Sequence, residues 1–90
     1  MPHRLKVTRT AKKELKRLPG HVRQRARRIV SALADNPRPR EAKELCAMPG
    51  RYRIRLDKWR IIYRVDDDAQ EVLLLRVRRK TGPETYTDIE

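Results

Sequence analysis

Two runs of alternating residues in the middle of the chain limit its fold more than any other feature. Residues 51–56 read RYRIRL and residues 59–65 read WRIIYRV, so apolar and polar side chains alternate along most of both runs. Because successive side chains of a strand point to opposite faces, each run predicts a strand with one buried face. The intervening Asp57-Lys58 predicts a two-residue turn and therefore an antiparallel hairpin. On the buried face of that hairpin, the register sets Leu56 against Trp59, Ile54 against Ile61 and Tyr52 against Tyr63.

A third strand is predicted from Val72 to Arg79, after a polar turn at Asp66 to Gln70. Its buried face is expected to carry Leu73, Leu75 and Val77, and its other face Leu74, Arg76 and Arg78. The pairing that keeps the buried face apolar sets Val65 against Leu73, Tyr63 against Leu75 and Ile61 against Val77.

The same registers gather arginines on the face opposite to the predicted core. Arg55 lies across from Arg60, and Arg60 lies beside Arg78, so a row of guanidinium groups crosses three strands. Directly opposed like charges destabilise a sheet by about 0.2–1 kcal/mol per pair, so a purely structural face has no need of them. Exposed arginines can simply lay their stems over a sheet while water solvates their charges. The clustering favours phosphate binding, since one guanidinium can hold two phosphate oxygens. Arg51 across from Arg64, Arg53 across from Ile62, and Arg76 beside Ile62 complete the predicted face.

Two short helices are predicted before these strands. Ala11, Leu15 and Leu18 recur at helical spacing after Thr8 or Thr10, either of which can cap the helix, and Pro19-Gly20 ends it. A second helical period runs through Val22, Ala26, Ile29, Val30 and Leu33 and ends at Asp35-Asn36-Pro37. We therefore expect a helical hairpin, preceded by a brief edge strand over residues 3–8 in which Leu5 and Val7 alternate with polar residues.

The segments outside these elements carry weaker signals. Pro37 to Pro49 contains three prolines and predicts a connecting loop with a single helical turn over Glu41 to Leu45. The tail from Thr81 to Glu90 is polar apart from Tyr86 and Ile89. We expect one α+β domain over residues 1–90, with the helical hairpin packed on one face of a mainly antiparallel sheet.

Composition restricts the partner and the compartment. Lys and Arg total 24 against 12 Asp and Glu, which gives a net charge of +12 and favours a polyanionic partner. Nucleic acid is the favoured partner, although an anionic membrane surface or an acidic protein would be equally complementary to this charge. Cys46 is the only cysteine and lies far in sequence from His3 and His21, so neither a disulfide nor a metal site is predicted. Residues 1–7 lack an apolar signal segment, and no run is long enough to span a membrane, so we expect a cytoplasmic protein.

Other chemistries find little support in the sequence. Ser31 lies in the middle of the second helix, and Cys46 has no histidine nearby, so covalent catalysis is disfavoured. Asp66-Asp67-Asp68 could hold a cation, but consecutive acids in a turn are usually just solvated. We therefore expect no cofactor and no metal ion.

The segment 48–63 resembles the core signature of the RelE/ParE toxin superfamily, with MPGRYRIRL followed by WRIIY. Similar features extend over nearly the whole chain: an N-terminal strand leading into a Lys-rich helix, the Leu18-Pro19 break, Lys43-Glu44-Leu45, and a basic third strand followed by Tyr86. The resemblance implies a RelE-like fold and a toxin of a type II toxin-antitoxin system. RelE-like members are ribosome-dependent endoribonucleases that cut mRNA in the A site and are held inactive by an antitoxin.

The resemblance also implies which residues act. The basic positions of the central strands fall on Arg53, Arg55 and Arg60, the basic residue after the last strand on Lys80, and the C-terminal aromatic on Tyr86. The sequence departs from the pattern with lysine at 80, where many members have arginine, and with arginine at 53 and 55, where some have lysine. A shift of one position would bring Arg79 to the place of Lys80. Further RNA contacts are expected from Arg51, Arg64, Arg76, Arg78 and Arg79.

The chemistry of RNA cleavage suggests a role for each residue. Attack by the 2′-hydroxyl needs an in-line arrangement, stabilisation of phosphate charge and a general base. Arg55 and Arg60 are expected to stabilise the pentavalent phosphate, Arg53 and Lys80 to hold flanking oxygens, and Tyr86 to stack on or orient a base. Arginine hardly deprotonates, so the general base is either Lys80 or a group outside the protein.

Two alternatives share the implied fold. One is a ParE-like toxin that binds DNA gyrase without cutting RNA, and the other is an inactive member that acts only as an antitoxin-bound corepressor. Lys80 and Tyr86 together with the central arginines favour the nuclease. The expected partners are an acidic RelB-like antitoxin, the ribosomal A site and mRNA, with no membrane.

Overall fold

A computed structural model describes residues 2–79 and contains two helices and five strands in that part of the chain. In chain order the elements are β1 (Arg4–Val7), α1 (Arg9–Lys16), α2 (Gly20–Ala32), β2 (Lys43–Glu44), β3 (Arg51–Leu56), β4 (Trp59–Asp66) and β5 (Glu71–Arg79). The strands form one sheet in the order β1-β5-β4-β3-β2, in which only β1 and β5 are parallel. Neither described helix is long and apolar enough to cross a membrane. The predicted α+β architecture and its mainly antiparallel sheet are confirmed.

The main core lies between the two helices and one face of the sheet. Both helices contribute their predicted apolar stripes, with Ala11 and Ala26 fully buried. Thr8 caps α1, because its hydroxyl accepts a hydrogen bond from the Ala11 N–H at 3.1 Å. Trp59 and Tyr63 pack on the same side, as the alternation predicts. The sheet face that points away from the helices is therefore the one that the arginines occupy.

The β3–β4 hairpin has the predicted register along its whole length, from the Arg51–Arg64 pair to the turn. Leu56 faces Trp59, and Tyr52 faces Tyr63, across a two-residue turn. Asp57 in that turn has a φ of 54°, in the left-handed region that aspartate tolerates better than most residues. The alternation of apolar and polar residues was therefore sufficient to predict this pairing.

The β4–β5 register is only half as predicted. Ile61 pairs with Val77 as expected, but the register shifts between Ile62 and Tyr63, so that Tyr63 pairs with Leu74 and Val65 with Val72. Leu75 is the extra residue of this bulge. The prediction that Leu73 and Leu75 join the main core is thus wrong, because the bulge turns Leu74 and Val72 inward instead. All three of Val72, Leu74 and Val77 belong to the main core.

The residues turned outward by the bulge form a second apolar cluster. Leu75 and Ile62 are buried on the sheet face opposite to the helices, together with Leu45, and Met48 and Leu73 pack beside them. Leu45 comes from the segment predicted to make a helical turn over Glu41 to Leu45. That prediction is wrong: Lys43–Glu44 is the short strand β2, which pairs with Arg53 and Tyr52. The pairing carries the following chain over the second sheet face, where Leu45 and Met48 cover Ile62.

Helix α1 covers the edge of β5 beyond the end of β1. Thr8 donates its hydroxyl to the Leu75 carbonyl at 3.0 Å and its N–H to the Leu74 carbonyl at 3.0 Å. Farther along the helix, Glu14 accepts the Val77 N–H at 2.8 Å and holds the Arg76 guanidinium at 2.9–3.2 Å. These contacts satisfy backbone groups of β5 with which a further strand would otherwise pair. They therefore protect this edge of the sheet.

Glu14→Ala is expected to lower the free energy of unfolding by about 2 kcal/mol, because it removes the acceptor shared by Arg76 and the Val77 N–H. The estimate is below that for a fully buried pair, since the two side chains are 19% and 26% exposed. Urea unfolding measures the difference. Glu14→Gln, which still accepts the Val77 N–H, should lose about half as much. Equal stability of Glu14→Ala and Lys13→Ala, an exposed control on the same helix, would contradict the role of this contact.

Candidate functional site

Seven arginines share the sheet face opposite to the helices, and we call this surface the arginine face. The pairing sets Arg55 against Arg60 and Arg60 against Arg78, so the predicted row across three strands is present. Near the other end of the hairpin, Arg51 pairs with Arg64. Cross-strand partners lie on the same side of a sheet. The arginine face consists of Arg51, Arg53, Arg55, Arg60, Arg64, Arg76 and Arg78.

The arginines of this face differ in how far they reach solvent. Arg55 and Arg64 are exposed, whereas Arg53 and Arg60 are only 9% and 7% exposed. Arg60 donates from Nη1 to the Trp59 carbonyl at 2.9 Å and to the Asp57 carbonyl at 3.3 Å. Its guanidinium therefore supports the β3–β4 turn while lying next to Arg55. An anionic ligand at this end of the sheet can contact Arg55 directly, and the positive charge of the buried Arg60 attracts it as well.

Two of the predicted site residues within the described range differ from the row in their surroundings. Arg76 lies on the arginine face, but Glu14 neutralises much of its charge in a two-pronged ion pair. Arg79 pairs with Trp59 and so lies on the helix side of the sheet, away from the arginine face. Arg79 is therefore separated from the other predicted RNA contacts, and its contact with RNA stays a prediction. Lys80 and Tyr86 lie outside the described residues 2–79.

The arginine face also has an apolar centre that the sequence reasoning missed. Ile62 is fully buried between Arg53 and Arg76 in the pairing, beneath Leu45 and beside Leu75. A signal was present, because Ile62 interrupts the polar positions of β4. The face is therefore divided into a basic row at the β3–β4 turn and an apolar patch beside it.

A second polar cluster lies at the opposite end of the sheet, on the helix side. Arg38 holds the Asp67 carboxylate with two hydrogen bonds of 2.7 and 3.1 Å, and His3 approaches the same carboxylate at 3.3 Å. Arg38 also donates to the Tyr52 hydroxyl at 2.8 Å and lies over the Tyr52 ring. These contacts join the N-terminus, the loop after α2 and the β4–β5 turn. The cluster closes the fold at this end, and sequence spacing gave no sign of it.

Asp67 should contribute to stability only above acidic pH. Hydrogen bonds from Arg38, and then from His3, lower the pKa of Asp67 below its usual value. A carboxyl with a depressed folded pKa adds stability above its unfolded pKa of about 4, and this is lost as pH falls through the folded value. We expect Asp67→Asn to lower the urea midpoint at pH 7 and the difference from wild type to shrink below about pH 4. Asp68→Asn, at an exposed neighbour, is the control; an equal effect of both variants would contradict the assignment.

The chemistry available at the arginine row is electrostatic. Arginines keep their charge at any cellular pH, and their planar forks match the geometry of phosphate oxygens. A phosphodiester bound at the row gains charge-assisted hydrogen bonds from these guanidinium groups. The row is suited to binding a phosphate and to stabilising additional negative charge on it.

Comparisons with known proteins agree with the fold. Residues 5–81 match the model of the family described as the ParE toxin of type II toxin-antitoxin systems, parDE. No curated protein sequence matches the chain.

Several solved structures are similar to the chain. The archaeal RelE-RelB complex from Pyrococcus horikoshii is 26% identical, with a TM-score of 0.80 over 92% of this chain and 100% of the other. The isolated E. coli RelE toxin is 26% identical, with a TM-score of 0.78 over 91% and 88%. The RelBE2 complex of Mycobacterium tuberculosis is 28% identical, with a TM-score of 0.74 over 89% and 100%. The chain belongs to the RelE/ParE family of toxins from type II toxin-antitoxin systems.

Proposed function

We propose that the protein is a ribosome-dependent endoribonuclease, a cytoplasmic toxin that cleaves mRNA in the ribosomal A site. The observation that carries the proposal is the row of Arg55, Arg60 and Arg78 across three neighbouring strands, on a face turned away from the helices. Such a row supplies the charge stabilisation that phosphodiester cleavage requires. The similarity of the chain to RelE structures supports the same assignment.

The proposed reaction is attack of an RNA 2′-hydroxyl on its own 3′-phosphate. A bond forms between the 2′-oxygen and phosphorus while the bond from phosphorus to the 5′-oxygen breaks. A base removes the 2′ proton, and the leaving 5′-oxygen takes up a proton. Exposed Arg55 binds the phosphate directly, while buried Arg60 and Arg53 add positive potential beneath it. Lys80 is the proposed base or oxygen-holding cation, and Tyr86 the residue that stacks on a base.

A cognate antitoxin is part of the proposed function. The RelE-like structures of P. horikoshii and M. tuberculosis are complexes of a toxin with an antitoxin. A chain with a net charge of +12 is complementary to an acidic partner. We propose that an acidic RelB-like antitoxin holds the toxin inactive and that the strength of this complex falls as salt concentration rises.

Inhibition of DNA gyrase is a second candidate function, since the family model that matches the chain is that of the ParE toxin. The two functions make different demands. A nuclease needs the arginine row to contact a scissile phosphate, whereas a gyrase inhibitor needs only a surface that binds the enzyme.

Primer extension on mRNA in a purified translation system tests the proposal. New cuts within translated codons, dependent on ribosomes and weakened in Lys80→Ala and Tyr86→Phe, are the expected result. A parallel assay follows supercoiling by purified DNA gyrase in the presence of the same toxin preparation. Intact mRNA combined with blocked supercoiling would overturn the nuclease proposal in favour of gyrase inhibition.

A further inference from the structure

One carboxylate lies at the border of the arginine face. Glu14 of α1 is the only acidic residue among residues 9–32, which contain nine lysines and arginines. Its side chain extends to the edge of β5 and contacts Arg76, a member of the arginine face. The only negative charge of the helical hairpin is therefore directed at this face.

The donors around the Glu14 carboxylate form an anion site. Arg76 donates from Nε at 3.1 and 3.2 Å and from Nη2 at 2.9 Å, and the Val77 N–H donates at 2.8 Å. A planar guanidinium fork and a backbone N–H are also donors that bind phosphate oxygens. The side chains of Arg76 and Glu14 are 26% and 19% exposed, so an anion from solvent can reach these donors once the carboxylate is removed. Glu14 therefore fills a site that would otherwise accept a phosphate.

This filled site lies beside the arginine row. Arg76 and Arg78 are two residues apart on β5 and point to the same face, so their Cα atoms are about 7 Å apart. An RNA chain bound at Arg78 could extend to Arg76 if the donors of Arg76 were not already used by Glu14. The negative charge of Glu14 also repels a phosphate at this edge of the sheet. The contact thus makes the β5 edge of the arginine face unfavourable for a phosphate.

We propose that Glu14 is a positioning residue for RNA, which holds Arg76 away from the RNA phosphates and so directs them to the arginine row. This role rests on the proposed function, because RNA is taken as the ligand. Without the Glu14 carboxylate, a phosphate binds Arg76 and the Val77 N–H, and the RNA chain shifts toward the edge of β5. Binding of that kind adds affinity without stabilising the reacting phosphate, so it does not accelerate cleavage.

Binding of a short single-stranded RNA to the isolated toxin tests this role. The RNA carries 2′-O-methyl groups, so no 2′-hydroxyl can attack, and fluorescence anisotropy measures its affinity. Glu14→Gln should bind at least about threefold more tightly than wild type, and log affinity should fall with log salt concentration more steeply by about 0.7, as expected for one added phosphate contact. Asp35→Asn, which removes an equal charge at an exposed position after α2, should change the affinity less than about twofold. Loss of a merely structural contact would weaken binding, so the direction of the change separates the two roles.

Further variants show whether Arg76 is responsible for the gain. Arg76→Gln should weaken binding more in the Glu14→Gln background than in the wild type, and the double variant should lose the gain. Glu14→Asp keeps the negative charge on a shorter side chain, so it should bind RNA no more tightly than wild type. In single-turnover assays at saturating toxin, Glu14→Gln should cleave ribosome-bound mRNA no faster than wild type. Circular dichroism verifies that each variant is folded.

The anion site can also be observed without RNA. On titration with inorganic phosphate, the NMR signal of the Val77 amide should shift in Glu14→Ala and stay in place in wild type. An unmoved Val77 signal in Glu14→Ala, or an RNA affinity that Glu14→Gln does not raise, would overturn the role of Glu14 but leave the nuclease proposal standing. A gain in affinity that survives Arg76→Gln would overturn it as well. Absence of RNA binding in wild type and all variants would reject the nuclease proposal together with the role of Glu14.

Discussion

Replacement of Arg55 by alanine is expected to lower mRNA cleavage by about 100-fold or more, the usual cost of removing one preorganised donor to a developing charge. Arg55 is the member of the arginine row that is exposed and that forms no ion pair within residues 2–79. Its removal therefore leaves the core and the β3–β4 turn intact. Single-turnover cleavage of ribosome-bound mRNA, without antitoxin, measures the effect.

Two further variants show whether charge or geometry is lost. Arg55→Lys keeps the charge but loses the planar fork, so we expect activity between those of wild type and Arg55→Ala. Arg27→Ala removes an exposed arginine from α2 and should cleave at the wild-type rate. Arg55→Ala with full activity would mean that the reacting phosphate is not held at this end of the sheet, and the proposed mechanism would be wrong.

Arg60 is the less direct probe of the same row. Its side chain is 7% exposed and donates to the carbonyls of Asp57 and Trp59, so its loss damages the turn as well as the electrostatic field. Loss of cleavage in Arg60→Ala could therefore come from either cause. The comparison with Arg55→Ala separates them, because Arg55 has no such contacts to the turn.

The sequence predicted those parts of the fold in which one face of an element is apolar and the other polar. The β3–β4 hairpin is the best case, because a shift of one residue would have buried Arg53 and Arg55 in the main core and exposed Ile54. The run Val72 to Leu75 has no alternation, so it carried no information on which side chains face the helices. The bulge at Leu75 places apolar side chains of β5 on both faces of the sheet. Both faces are covered only in the folded chain, so no local pattern indicated the bulge.

The same distinction applies to the candidate site, where only the features that follow from local alternation were predicted. The row of Arg55, Arg60 and Arg78 follows from local alternation and was predicted. The pairing of Arg76 with Glu14 joins residues 62 positions apart, so no local pattern could indicate it. Strand β2 has only two residues, which is too short for a periodic signal.

Tyr63 is the position at which a single substitution should cost the most stability. Its side chain is fully buried, its ring stacks on Tyr52 with centroids 5.7 Å apart, and its hydroxyl donates to the Pro37 carbonyl at 2.7 Å. Tyr63→Ala removes all of these contacts and leaves a cavity, so we expect a loss of about 3–5 kcal/mol in the free energy of unfolding. Tyr63→Phe keeps the packing and loses only the hydrogen bond, at a cost of about 1–2 kcal/mol.

The pH dependence of these variants identifies the cause. Burial raises the pKa of the Tyr63 hydroxyl far above its ordinary value of about 10. The unfolded chain therefore releases this proton first, so stability falls as pH rises above about 10 toward the folded pKa, and it is fully present below that range. Tyr63→Phe has no proton to lose, so its deficit against wild type should shrink above about pH 10, as measured by urea unfolding. Tyr52→Phe, which loses an exposed hydrogen bond to Arg38, serves as the control. A deficit of Tyr63→Phe that stayed constant up to pH 11 would contradict the burial of this hydroxyl.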